Sequence, residues 1–438
     1  MERKSSDFQK IHEFLMPYEK IWQNEVMESY PHFDHYYEEE WVNELMELSE
    51  DELYKFEGCH DYSVIKGESF RDFLNKIIEL SAINPLLPIN LMEKNLQELA
   101  KEKFQKHTFV GMKPKKVHEI TSICQFLSEY SHVVGSAEKI FDWGGGKGLL
   151  ANTLSEVFDK KVMSFDANIS LQEMGKIKAD KNSLKLKVPV ERTKNVELIH
   201  IYINDSGEVF DQLKFYYSEQ TNLTVGLHCC GSLSLNQIKF FSTLPLKTSR
   251  NYLLNFGCCY YKIKSSDAFL SQKALKLKSY LTSEALTLAT RAHGSYTEKE
   301  FSFRYKVKFF RFGIYHFLYQ NLPHLKSRAL GFTEGKFYHG RFQDYVYEQF
   351  KKFNFSDQES LMNAELAAQD FSKTSTQLTI KRMFVCGIIR GLFGRLLEKY
   401  YLLDKVIFLE ENQCQSQLGI LFDENLSPRN IGIWALKA

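Results

Sequence analysis

From the first residue to about residue 105, apolar and aromatic side chains such as Phe14, Leu15, Ile21 and Trp22 recur near helical spacing between charged positions. That periodicity predicts a helical region over 1–105. Asn84-Pro85-Leu86-Leu87-Pro88 interrupts the pattern and marks a loop, because proline has no amide hydrogen to give a helix. From Lys139 the texture changes to short apolar runs at 139–142, 162–166, 198–203, 223–228 and 252–256, separated by helical stretches. Such alternation signals a parallel sheet with crossover helices. Over 263–402 the pattern is helical and rich in lysine and aromatic residues, and strand character resumes only at 406–409 and 431–435. The expected fold is therefore α/β and Rossmann-like. Its seven-stranded, mostly parallel sheet would end in an edge hairpin, with a core over 106–262, a mainly helical insertion over 263–402 and closing strands in 403–438.

Composition bounds this picture without redirecting it. A chain of 438 residues with 44% hydrophobic content buries more than one core. The formal net charge of +1 gives no global field of the kind that marks dedicated nucleic-acid or membrane-surface binders. Locally the first sixty residues are acid-rich and 160–194 is studded with lysine, which reads first as solvated faces. The longest apolar stretch, 383–397, is broken by Arg390 and Arg395, so no membrane span is expected. Eight cysteines, four of them in the adjacent pairs Cys229-Cys230 and Cys258-Cys259, do not form a secreted disulfide framework. The expectation is reduced thiols and an intracellular, cytoplasmic or nuclear, protein.

The most informative motif is Asp142-Trp143-Gly144-Gly145-Gly146-Lys147-Gly148, directly after the first strand and before a helical stretch. Glycines let a backbone turn sharply and approach a ligand, and the following helix N-terminus offers amide donors. An acid at the strand end suits the cationic methionine portion of S-adenosylmethionine and would repel a pyrophosphate. Asp142, Gly144, Gly146 and Gly148 are accordingly expected to hold that cofactor. Asp166, closing the second strand, is expected at its ribose, and Asp205, after the third, near its adenine. A dinucleotide fingerprint of an oxidoreductase can be forced only from Gly146 onward, too far beyond the strand end.

His228-Cys229-Cys230-Gly231 ends the fourth strand and Gly257-Cys258-Cys259-Tyr260 the fifth. In an open α/β sheet, ligands bind outside the carboxyl ends of the strands. His228, Cys229 and Tyr260 are therefore the catalytic candidates, His228 first because its reference pKa lies near neutrality. Buried cysteine is otherwise most often a small apolar filler. No metal is expected, since adjacent cysteines lack the C-x-x-C spacing that usually lets two sulfurs of one segment share an ion. An N/D-P-P-Y/F element, typical of enzymes that methylate base amino groups, is replaced by His228-Cys229-Cys230-Gly231, which disfavours a base-amino target.

These motifs, with Gly111-Met112-Lys113-Pro114-Lys115-Lys116-Val117-His118-Glu119 upstream and Leu402-Leu403-Asp404-Lys405 and Leu426-Ser427-Pro428-Arg429-Asn430 downstream, resemble the methyltransferase-like protein 25 family. That family includes proteins labelled as containing a ribosomal RNA adenine dimethylase domain. The resemblance runs from about Gly111 to the end and implies the S-adenosylmethionine fold with a long helical insertion. It places Lys116, His118 and Glu119 on the helix entering the sheet, near the methionine end of the cofactor or simply capping and packing that helix, and Trp143 departs from the smaller residue usual after the motif acid. A shared fold does not establish a shared reaction. The expected function is S-adenosylmethionine-dependent methyl transfer to RNA or protein. The competing expectation is a catalytically silent binding module of the same fold.

Overall fold

The computed structural model describes residues 2–86, 112–175, 177, 195–217, 221–245, 250–291, 294–325 and 333–438. Most of the lysine-rich stretch expected to be solvated, together with Pro88 and Gly111, lies outside them. Packing groups the chain into two compact units, each assembled from separated segments. Residues 1–17, 81–294 and 394–438 form one, and 18–80 with 295–393 the other.

The first unit holds a seven-stranded sheet in the order β3-β2-β1-β4-β5-β7-β6. Its strands are β1 Lys139–Trp143, β2 Lys161–Asp166, β3 Val196–His200, β4 Asn222–Cys229, β5 Asn251–Gly257, β6 Gln415–Ile420 and β7 Ile431–Lys437. The first five run parallel, while β7 pairs antiparallel with both β5 and β6. The order reverses between β1 and β4, so a crevice opens at their carboxyl ends. β1, β2, β4 and β5 are almost wholly buried, which is why each reads as a short apolar run instead of an alternating one.

One correction concerns the closing strands. The run 406–409 lies inside the helix Gly394–Glu411, and β6 falls later. Tyr400 to Ile407 is buried throughout, so its apolar character carries no period that separates helix from strand. β6 was hidden for the opposite reason: its outward positions are Gln415 and Gln417.

Two layers cover the sheet. On one face, Ile140 of β1, Val162, Val225, Leu254 and Phe256 meet Ile120, Ile123 and Phe126 of the helix Pro114–Glu129 and Leu150 and Leu154 of the helix Leu149–Phe158. On the other, Phe141 stacks on Tyr217 at 3.9 Å, and Trp143 packs against Phe240 at 5.4 Å and Phe165 at 6.2 Å. Side chains alternate along a strand, so Trp143 points away from the face that carries Ile140 and Asp142. Its indole N–H donates to the Tyr217 hydroxyl at 3.2 Å, which bonds Thr224 at 3.0 Å. The unusual tryptophan of the motif is thus a core residue.

The second unit is helical throughout its described residues, with Glu298–Asn321 as its longest helix. Phe310, Ile314 and Phe317 of that helix pack with Phe342, Tyr345 and Phe350 into a core of their own.

Because Trp143 is fully buried and hydrogen-bonded, Trp143→Ala should cost about 3–5 kcal/mol of stability, with Trp143→Phe losing markedly less. Urea denaturation measures both, and equal losses would contradict this packing.

Candidate active site at the carboxyl ends of β1 and β4

The glycine loop leaves β1 through three left-handed residues, Gly144 at φ 71°, Gly146 at φ 55° and Gly148 at φ 68°. Only glycine adopts that conformation without strain. Gly145 is needed for a different reason. A Cβ there would stand 1.8 Å from the Ser164 hydroxyl and 2.7 Å from the Asp142 carboxylate. A Cβ on Gly146, by contrast, would meet no atom within 4 Å, so the open side of the loop lies there.

The loop is pinned to the end of β2. Gly144 and Gly145 both donate to the Phe165 carbonyl, at 2.8 and 3.2 Å, and the Gly146 amide donates to Asp166 Oδ2 at 2.8 Å. Asp166 Oδ1 accepts from Asn168 N at 2.7 Å. Asp142 sits beneath the loop, buried, and accepts from Ser164 Oγ at 3.3 Å. Burial raises its pKa to about 7, against the opposing pull of Ser164, Lys116 and the Ala151 amide. Near neutrality this carboxyl group is poised between its two forms, so a cation brought to the loop would favour the ionised one.

On the Pro114–Glu129 helix the structure gives partners to the glutamate that the family resemblance sets beside Lys116 and His118. Glu119 is buried, and its Oε1 accepts from His228 Nε2 at 2.8 Å and Ser427 Oγ at 2.7 Å. Lys116 Nζ stands 3.3 Å from Oε2 and Lys115 Nζ 3.7 Å from Oε1. Burial opposes ionisation of Glu119, but the hydrogen bond and charge of His228, with Ser427 and Lys116, prevail and hold its pKa down at about 2. His118 is turned to the β6–β7 loop, where its Nε2 accepts from the Asp423 amide at 2.9 Å.

His228 occupies the end of β4 with φ 63°, where the β4–β5 register slips between Leu227 and Cys229. A left-handed backbone is uncommon for histidine and persists only where surrounding contacts enforce it. Here it coincides with the register slip, and the side chain, bonded to Glu119, is left 24% exposed.

The other two catalytic candidates are buried. Cys229 is fully enclosed, with its Sγ toward the Trp143 carbonyl at 3.4 Å, and burial pushes its thiol pKa well up. Tyr260 is equally enclosed and donates to Glu398 Oε1 at 3.1 Å, where burial again raises its pKa. Glu398 also accepts from Arg429 at 2.8 Å and Arg395 at 3.0 Å. Asp205 carries an exposed carboxylate paired with Lys239 at 2.8 Å, which lowers its pKa.

At the rim, the Cys230, Cys258 and Cys259 sulfurs gather within 4.8 Å of one another. In the second unit, the basic residues Arg304 and Lys308 are already engaged, Arg304 over Tyr296 at 4.2 Å and Lys308 with Glu57 at 2.9 Å.

Residues 115–266, which carry the glycine loop and the sheet's switch point, match the family model described as Methyltransferase domain. Solved structures with some likeness include a point mutant of MtNAS in complex with S-adenosylmethionine. It is 14% identical over 57% of this chain and 82% of that chain, with a TM-score of 0.21. Another is coclaurine N-methyltransferase bound to N-methylheliamine and SAH, 12% identical over 91% of this chain and 97% of that chain, with a TM-score of 0.23. The assignment rests on the domain match and the topology, not on these likenesses.

A carboxylate whose folded pKa lies below its unfolded value stabilises above the unfolded value and loses that contribution as pH falls toward the folded one. Glu119 should therefore contribute about 3 kcal/mol near neutrality, fading between pH 4.5 and 2. Denaturation of the wild type and Glu119→Gln across acidic pH should show their stability difference shrinking, whereas parallel curves would contradict this account.

Proposed function

We propose that this protein transfers the methyl group of S-adenosylmethionine to a macromolecule, RNA or protein, in the cytoplasm or nucleus. The observation that carries the cofactor half is the loop geometry at the switch point. Gly144, Gly146 and Gly148 supply the turn, Gly146 leaves open space, and Asp142 waits beneath with a carboxyl group that a cation would ionise. In this reading Asp166, whose oxygens retain free lone pairs, reaches the ribose hydroxyls, and Lys116 and His118 lie toward the methionine end. Asp205, which pairs with Lys239 at the surface, lies toward the adenine in the same reading.

The cofactor supplies an electrophilic methyl group, and the chain supplies orientation, exclusion of water and a place for the acceptor's proton. Because Glu119 is ionised, it can only accept, so His228 Nε2 carries the hydrogen that bonds it. In the neutral imidazole, Nδ1 then holds the lone pair, and this atom takes the acceptor's proton as the new bond forms.

The particular family we propose is the methyltransferase-like protein 25 family. Supporting it is the convergence of separated motifs. Ser427 bonds Glu119, Arg429 bonds Glu398, and Asp404, paired with Lys405 at 2.7 Å, caps the chain at Leu270 and Ser271. Among the described residues no helix is long and apolar enough to cross a membrane. The eight cysteines are free thiols, which suits a reducing compartment.

Calorimetric titration with S-adenosylmethionine should show affinity rising between pH 6 and 7.5 in the wild type as Asp142 ionises. Asp142→Asn should bind at least about tenfold more weakly, with a flatter pH dependence; absence of binding by the wild type would sink the enzymatic reading.

The acceptor is tested by transfer of labelled methyl groups into lysate from cells lacking the protein, followed by nuclease or protease. Label removed by nuclease alone identifies RNA, and label removed by protease alone identifies protein. His228→Ala should slow that transfer by about 10²–10⁴-fold while leaving cofactor affinity near wild type. Unchanged transfer would remove His228 from the reaction, and label in neither fraction with an intact cofactor site would favour the silent binding module.

A further inference from the structure

The ends of β4 and β5 carry a group of atoms that methyl transfer as derived above does not use. Cys230 follows β4, and Cys258 and Cys259 follow β5. The register slip at Leu227 and Cys229 sets Cys229 against Gly257, and the Cys258 amide bonds the Cys229 carbonyl at 3.4 Å. Gly231, left-handed at φ 58°, then turns the chain away, leaving the Cys230 sulfur aimed at the neighbouring strand end. Its distances are 2.7 Å to Cys258 Sγ and 3.5 Å to Cys259 Sγ, and the two β5 sulfurs stand 3.7 Å apart.

We propose that Cys230, Cys258 and Cys259 bind a zinc ion, with a fourth position open to solvent. Three thiolates bound at about 2.3 Å to a tetrahedral zinc stand roughly 3.8 Å from one another. The two contacts of Cys259 already match that spacing. The third requires Cys230 to swing outward by about 1 Å, and Cys230 is the exposed member of the set. Spacing along the chain argues against a metal because adjacent cysteines rarely share an ion. What spacing misses is that the third sulfur comes from another strand.

The chemistry of the set fits. Soft thiolates select zinc over the hard cations that carboxylates bind. Zinc with three thiolates carries one net negative charge, and the side chain of the cationic Lys262 packs against Gly231 beside Cys230. Among the described residues no histidine, cysteine or carboxylate joins the three as a fourth ligand. A water therefore completes the tetrahedron, as at zinc sites with three protein ligands. The ion would tie β4 to β5 one residue beyond their last backbone contact, beside His228. This inference concerns metal binding alone and stands independently of the proposed methyl transfer.

The test uses the full chain, loaded with zinc or cobalt, desalted and analysed for metal by mass spectrometry. The wild type and Cys59→Ser, altered at an exposed cysteine of the other unit, should each retain about one zinc per chain. Cys230→Ser and Cys259→Ser should lose affinity by more than the roughly 10–100-fold that an outer-shell change costs. Cobalt should give the visible bands of a tetrahedral site with thiolate charge transfer in the near ultraviolet. If the serine variants misfold, the wild-type stoichiometry and cobalt spectrum decide alone. A wild type that keeps no zinc, serine variants that keep it fully, or a metal-free protein in which Cys230 and Cys258 are joined as a disulfide would each overturn the proposal.

Discussion

The buried carboxylate of Glu119 is the point on which the site depends. It receives His228 from the end of β4 and Ser427 from the β6–β7 loop, while Lys116 approaches from its own helix. Three segments far apart in sequence thus meet on one charged group. A buried ion is costly unless fully partnered, so each partner is held as firmly as the ion needs it. His228 carries a left-handed backbone at the β4 end, and the contact with Glu119 fixes the direction of its ring.

A second constraint acts through the backbone. The glycine loop is shaped by two independent requirements, left-handed turns at Gly144, Gly146 and Gly148 and the absence of a side chain at Gly145. Both are met before any ligand arrives, because the Phe165 carbonyl and Asp166 hold the loop through its own amides. Preorganisation of this kind reduces the ordering cost of binding. Beneath it, burial raises the Asp142 pKa to about 7, so a cationic ligand at the loop would favour its ionised form.

The neighbouring strand ends show how one stretch of sequence divides its labour. In His228-Cys229-Cys230, the histidine is half presented, the first cysteine enclosed under Trp143 and the second turned to the rim. Their different environments come from the register slip that interrupts the simple alternation of the strand. Tyr260 likewise follows the rim but turns inward to Glu398, joining the β5 end to the helix Gly394–Glu411 and, through Arg429, to the final loop.

The sequence by itself determined the parts whose information is local. Period and run length announced the five parallel strands and the last antiparallel one, and the glycine loop declared its own conformation, because glycine is the residue for which a left-handed turn carries no steric cost. Where burial surrounded a segment on all sides the signal vanished, so 406–409 read as a strand although it belongs to a helix, and polar outward positions concealed β6. Only the tertiary structure decided the surroundings of Glu119, Cys229, Tyr260 and Asp205. Burial and pairing set the charge and reach of an ionisable group, and partners such as Lys239 of Asp205 and Ser427 of Glu119 lie 34 and 308 residues away. No spacing along the chain records such distances; the packing that closes them does.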